Sequence, residues 1–391
     1  MRRISLLLVI SISLMGQSAY YRLGYGDLYP AVDPLGSSLG SGIVALIDSA
    51  RITSHNPATL NHFNRVYFDV SLGSEYKSID DVISNKTRLE KLSFATPLGS
   101  NIGMSLGLLA LNDFSSEYSA TSTDGTFSER SEGGIWDFQF GLGYGHTSNL
   151  NFGLKLHLLH GFLRRQSTLK NEESTEMYVI NGTIDGKSLE IGSIAKFGPK
   201  VTLGLTADIP IVIPVLSGED SLAGTVDYVK LEEELSAWPT TIKLGLVYDH
   251  SRYTKILSGI SQQLFPENGF HNAKIFALPS GWTTVPVASF QASLLRLPLD
   301  RTSRNLIRRT GWQAGISIKN YYLESATQNF IYEYALISGI NFGLRNTNSI
   351  FDLSGEFGSR GGDESLPTEL FGRVKIGIQV NEIWFRKAKR R

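Results

Sequence analysis

The stretch from Gly133 to Phe162 alternates with period two on both sides of one short turn. In its first half Trp136, Phe138, Phe140, Leu142 and Tyr144 fall on one side, with Ile135, Asp137, Gln139, Gly141 and Gly143 on the other. In its second half Leu150, Phe152, Leu154, Leu156 and Leu158 oppose Asn151, Gly153, Lys155 and His157. Successive side chains of a strand point to opposite faces, so each half has one large apolar face and one polar or glycine face. A Gly-His-Thr-Ser-Asn turn joins them into an antiparallel hairpin. Each strand runs for roughly ten residues, the length that crosses a bilayer at a barrel tilt. The apolar face then meets lipid, and the small inner face leaves room for a plug.

The alternation recurs in about fourteen segments: 66–73, 89–96, 101–111, 134–145, 150–162, 188–197, 200–209, 240–249, 253–262, 286–295, 311–319, 330–341, 349–358 and 369–380. The fold class expected is all-β, a transmembrane antiparallel β-barrel of about 14 strands with an N-terminal plug. Connections at 97–101, 145–149, 198–200, 250–252 and 343–348 are short, and those between them are long. Outer-membrane barrels place short turns in the periplasm and long loops outside. The long, basic stretch from Arg296 to Thr310 breaks that rule. It marks either a misassigned region or a periplasmic elaboration.

Composition fits this reading. The 391 residues include no cysteine and 39 glycines, and 37 basic residues balance 37 acidic ones. The absence of net charge removes the usual footprint of nucleic-acid binding. No apolar run past the N-terminus is long enough for a helical span, and alternating strands escape such a scan. Met1-Arg2-Arg3 and the apolar Ile4–Met15 read as a signal for Sec export, with residues 1–19 removed after Ser18 or Ala19. The division expected is a hatch over 20–64, the barrel over 65–385 and a basic tail over 386–391. Within the hatch, residues 43–50 read as a short helix and the preceding Gly/Ser run as a loop. Asn56-Pro57 reads as a turn. The acidic run Leu231–Leu235 lies in an outer loop and reads as a solvated short helix, with cation bridging to lipopolysaccharide as the functional alternative.

The chain resembles the FadL-like outer-membrane transporter superfamily, fourteen-stranded barrels closed by an N-terminal hatch. Gly40, Gly42, Ala45, Asp48 and Ser49 precede Asn56-Pro57-Ala58 and then the strand at Val66, in that family's order. Thr59 stands where glycine is usual, and Arg51-Ile52 where smaller residues are. Trp238-Pro239 before residue 240, and Phe371–Gly377 followed by Trp384-Phe385, resemble two further family strands. The resemblance implies passive uptake of hydrophobic small molecules such as fatty acids or hydrocarbons, without cofactor or enzymatic chemistry. It equally admits a PorV-like interaction protein that docks a secretion machine or its cargo. Implied partners are a hydrophobic ligand, outer-membrane lipid and lipopolysaccharide, the barrel assembly machinery and, in the second reading, secretion-system proteins. Asp48, Asn56, Pro57 and Ala58 are the hatch motif. Gly103 and Gly107 are gate candidates, because fatty-acid transporters release cargo through a kinked third strand.

Pairing Tyr144 with Leu150 sets Asp137 opposite His157 and Gln139 opposite Lys155, all on the inner face. This polar cluster either lines a pathway, latches the hatch, or is a satisfied structural network. His157 and His160 lie on opposite faces, so they share no metal. His160 points outward without an evident serine or acidic partner, which argues against a lipase on the wall.

Overall fold

The computed structural model describes residues 33–382, apart from 49–50, 52–54, 80–81, 123–124, 172–173, 223–228, 235–237, 267–275, 277, 279–280, 302, 325–329, 345–348 and 363–367. The expected signal segment and basic tail lie outside the described residues.

One sheet contains every described strand: β1 (Val66–Ile79), β2 (Val82–Pro97), β3 (Ile102–Asp113), β4 (Ser116–Ser122), β5 (Gly125–Gly145), β6 (Leu150–Lys170), β7 (Thr175–Phe197), β8 (Val201–Leu222), β9 (Val229–Glu234), β10 (Thr240–Asp249), β11 (Thr254–Leu264), β12 (Thr283–Thr284), β13 (Val287–Arg296), β14 (Thr310–Glu324), β15 (Phe330–Gly343), β16 (Ile350–Gly361) and β17 (Glu369–Glu382). All pairings are antiparallel, and β1 pairs with both β2 and β17, so the sheet closes on itself. β4, β9 and β12 each pair with one neighbour beyond the ring, continuing the lines of β3, β10 and β13. The ring is therefore a closed barrel of 14 strands.

The wall is apolar outside. Phe138, Phe140, Leu142, Tyr144, Phe152, Leu154 and Leu158 are all exposed, alternating with the buried Asp137, Lys155 and His157. In water this face would be an aggregation hazard; in a bilayer it is the solvated one. β5 to β8 run for 21 to 23 residues, about twice what the bilayer requires, and project beyond the ring at the long-loop end.

The hairpin register differs from expectation by two residues. Tyr144 pairs with Phe152, so Gln139 faces His157, Gly141 faces Lys155 and Asp137 faces Leu159. Gly145 stays in the ladder, donating to Asn101 O at 2.8 Å, and the turn is one residue shorter on that side. Thr147 closes it, its Oγ1 accepting from Leu150 N at 3.0 Å. The acidic run is also corrected: Val229–Glu234 is strand β9, and Glu233 is buried with its Oε1 accepting from Phe276 N at 3.4 Å. Cross-strand pairing to β8 overrides helix propensity there.

The stretch 297–309 is an elaboration of the short-turn end, closing with helix α2 (Leu306–Arg309). Another helix and two 3-10 turns lie inside the ring. Helix α1 is Pro34–Leu39, capped by Asp33 Oδ1 accepting from Gly36 N at 2.5 Å, with proline in its first turn. The 3-10 turns are Gly40–Ala45 and Pro57–His62, the second capped by Asn56 Oδ1 accepting from Ala58 N at 2.9 Å. The Gly/Ser run is thus partly helical, and of the helix expected over 43–50 only 43–45 are helical, in a 3-10 turn, with 46–48 irregular and 49–50 outside the described residues, because Asp33-Pro34 supplies a better start than Gly42-Ile43.

This inner segment touches strands all around the ring. A Cβ on Gly153 would lie 2.3 Å from the Pro57 carbonyl carbon, and one on Gly204 2.2 Å from Val44 O. Wall glycines therefore set how closely the segment seats.

Candidate luminal site

The inner segment is held by charge. Lys91 Nζ lies 2.8 Å from Asp33 Oδ2 and 2.9 Å from Asp69 Oδ2, with its side chain 1% exposed. His55 Nε2 lies 2.9 Å from the same Asp33 oxygen. Burial pushes the Asp33 carboxyl up, but Lys91 and then His55 outweigh it and hold the group well below the usual carboxylate range. At the short-turn end Asp48 meets Arg51 at 3.6 Å and Arg301 of the 297–309 elaboration at 3.2 Å. Arg51 also reaches Asp352 at 3.2 Å.

The rest of the expected motif bonds inward. Asn56 Nδ2 donates to Val44 O at 2.7 Å and to Ser193 O on β7 at 3.1 Å, tying the segment to itself and to the wall. Pro57 and Ala58 are fully packed against the wall glycines. Thr59, the departure from glycine, is accommodated because its Oγ1 donates to Asn56 O at 2.8 Å. His62 Nε2 lies 3.0 Å from Asn151 Nδ2. Burial and then the Lys196 charge pull its pKa down to about 4, keeping the ring neutral.

Above the segment lies a belt of ion pairs. Asp137 Oδ2 lies 2.8 Å from His157 Nδ1 and accepts from Gln139 Nε2 at 2.6 Å. Glu190 Oε2 accepts from Lys155 Nζ at 2.6 Å and lies 3.3 Å from His157 Nε2. The four cluster residues read from the sequence thus share one network despite the altered register. Glu190 was missing from that reading, although its alternation in 188–197 faces it inward. Across the barrel Arg373 bridges Glu75, Glu333 and Glu356 at 2.7, 3.2 and 3.1 Å, and Arg360 reaches Glu333 at 2.7 Å. These pairs join strands at opposite ends of the chain.

The belt borders a cavity of about 280 Å³ whose floor includes Gly40 and Val44. Its upper rim is apolar: Leu159, Val287, Tyr321 and Tyr322 belong to a cluster with Phe114, Ile135, Leu163, Ile184, Phe265 and Phe276, against which Trp238 packs. Tyr322 stacks on Phe265 at 5.2 Å. Beside this cluster the chain leaves regular strand geometry between β3 and β4 and between β12 and β13, while Phe114 N still donates to Gly133 O and Val285 N to Tyr322 O, each at 2.9 Å. Phe114, between β3 and β4, and Val287, the first residue of β13, belong to the luminal cluster, and Trp238 packs against it.

Gly103 and Gly107 pair with both β2 and β5, in unbroken ladders. Gly103 seats Leu60, whose carbonyl oxygen would lie 2.0 Å from an added Cβ. Pairing of β2 with β3 ends higher, at Lys91–Leu109, just below a bulge at Ala110–Asn112. On the outer face His160 Nδ1 lies 2.7 Å from Asp185 Oδ1, an exposed pair that the sequence reading left without a partner.

The model of the BamG family matches residues 2–390. The chain belongs to the BamG family. No curated protein matches its sequence. Solved structures share the fold at low identity. The monoaromatic hydrocarbon channel CymD is 13% identical with a TM-score of 0.62, over 91% of this chain and 99% of that one. The toluene transporter TbuX of Ralstonia pickettii is 12% identical with a TM-score of 0.64, over 90% and 98%. A FadL homologue of Pseudomonas aeruginosa is 9% identical with a TM-score of 0.61, over 92% and 99%. This BamG-family chain therefore has the FadL-type architecture and is an outer-membrane barrel.

Proposed function

We propose that this barrel takes hydrophobic small molecules from outside into the apolar luminal cluster, with residues 33–64 acting as a hatch below. The carrying observation is the aromatic cluster above a cavity of about 280 Å³. That volume lies near the lower limit of small-molecule pockets, which are mostly apolar with a few placed polar groups. Transport by the neighbours CymD and TbuX supports the reading. An apolar molecule would have to strip the ion-pair belt to pass straight through, which opposes that route. Release sideways where the β2–β3 ladder ends at Lys91–Leu109, with Gly103 and Gly107 lending close packing below, avoids the belt. The outward apolar wall contacts outer-membrane lipid, and the projecting loops meet lipopolysaccharide.

The test is uptake of radiolabelled toluene and of a long-chain fatty acid into proteoliposomes. Faster entry than in empty liposomes is expected, together with negligible ionic conductance. Entry equal to empty liposomes would refute uptake.

A second reading rests on a different observation. The belt is extensively paired and buried, which suits a barrel that is a rigid partner rather than a conduit. Membership of the BamG family is compatible with a partner in the barrel assembly machinery. In that reading the chain docks an outer-membrane machine, and stoichiometric co-purification with such a complex, without uptake, is the outcome that selects it.

A further inference from the structure

Most charges facing the cavity are matched. Lys155 meets Glu190, Lys319 meets Glu333 at 2.9 Å and Lys375 meets Glu90 at 3.0 Å. Asp208 and Lys243 are the exceptions. Both line the cavity, and neither closes an ion pair within 4.0 Å among the described residues, although the Asp208 charge is felt by His157 and the Lys243 charge by Glu190. They sit on neighbouring strands, Asp208 opposite Thr241 and Lys243 opposite Thr206, two residues apart along the ladder. Asp208 Oδ1 is buried with no hydrogen-bond partner. A carboxylate oxygen in that state is unfavourable unless a donor arrives. A carboxylate and an ammonium held side by side without closing on each other define a gap with a positive and a negative end.

The wall beside this gap is irregular. The β8–β10 ladder stops at Asp208, and the β8–β9 ladder begins only at Val215. Between them lie Pro210 and Pro214, which have no N–H to donate, and the register against β7 shifts twice near Lys187. Ile211, Val212 and Ile213 are consecutively exposed, so this stretch turns an apolar lip outward. Trp238, at the break leading into β10, lies on the cavity side.

We infer that the Asp208–Lys243 gap binds the zwitterionic head of a single-chain amphiphile whose chain lies along Trp238 and the apolar cluster. The inference rests on the uptake reading and narrows its cargo from any hydrophobe to one with a paired charge. The cationic end of the head meets Asp208. The anionic end meets Lys243. A neutral hydrocarbon would leave both charges unmatched, and a singly charged chain would leave one.

The test uses the folded full-length barrel in neutral maltoside micelles, with dodecylphosphocholine, dodecylamine, dodecanoate and dodecanol as probes. Tryptophan emission and calorimetry read binding to wild type, Asp208→Asn and Lys243→Gln, each checked for folding by its heat-dependent gel shift. Dodecylphosphocholine is expected to bind about tenfold tighter than dodecanol, and each substitution should remove most of that difference while leaving dodecanol unchanged. Equal affinity for dodecanol, a singly charged probe matching the zwitterion, or unchanged affinity in Asp208→Asn would each overturn the head-group inference while leaving uptake standing. No binding by any probe would overturn the uptake reading with it.

Discussion

Replacing Lys91 by methionine should release the inner segment from the wall. Lys91 is the joint between a residue of that segment, Asp33, and a residue of the barrel, Asp69, at 2.8 and 2.9 Å. Methionine matches its length but leaves two buried carboxylates facing one another. Breaking a buried ion pair by removing one partner typically costs about 3–5 kcal/mol. Asp33 keeps His55 and the Gly36 N–H, so the lower end, about 3 kcal/mol, is the figure to expect. Since about 1.4 kcal/mol is a tenfold change, the docking equilibrium moves by roughly two orders of magnitude. Single-channel recording in planar bilayers should show brief openings at least tenfold more often than in wild type. Asp33→Asn should do less, because Lys91 retains Asp69. Lys91→Met combined with Asp69→Asn should recover part of the loss by removing one of the stranded charges. If folded Lys91→Met opens no more often than wild type, the joint does not hold the segment and the reasoning fails.

Deleting residues 37–62 should raise conductance outright if the barrel still folds, and an unchanged conductance would remove the hatch from the proposal. Asp137→Asn weakens the charge-assisted contact to His157 by about 1.5–3 kcal/mol, so a lower thermal midpoint and greater leak of small polar solutes are expected. His62 contributes a pH dependence: its folded pKa, about 4, lies below the ordinary 6.5, so the folded state binds fewer protons between those values. Seating of the segment should therefore be complete above pH 6.5 and weaken as pH falls towards 4, and His62→Gln should flatten that response. The mature protein should fractionate with outer membranes and migrate faster on gels unheated than boiled; a folded sample without that shift would contradict a closed barrel.

The wall was legible because one physical constraint acts on every strand. Lipid outside and a packed interior force period two, and each of the segments read from 66–73 to 369–380 lies within or closely overlaps a wall strand. The segment 240–249 coincides with β10. What alternation does not encode is height. Moving a strand by two residues keeps every face and changes every partner, so the hairpin register depended on whether Gly145 belonged to ladder or turn. The outer halves of β5 to β8 escaped notice for a related reason. Beyond the bilayer both faces are wet or loop-covered, and Thr126–Ser131 or Arg164–Thr168 carry no apolar stripe.

The interior was harder, because its partners are set by closure rather than by sequence neighbourhood. Glu75 and Arg373 are 298 residues apart and meet only because β1 closes on β17. Asp33 and Lys91 meet only because a segment without alternation folds back into the ring. Each inward residue could be read as polar, but which charge would be matched was invisible until the ring closed. Closure also decides what an unmatched charge signifies. On a solvated surface, Asp208 and Lys243 would be ordinary. Facing a small cavity in which other carboxylates and ammoniums have found partners, the pair lies beside the stretch of β8 that is paired with β7 alone. Placing the gap beside that stretch leaves the barrel without ladder bonds on one side of β8 and without an ion pair. A purely structural wall would gain stability by closing both, so their coincidence argues for a molecule that enters there.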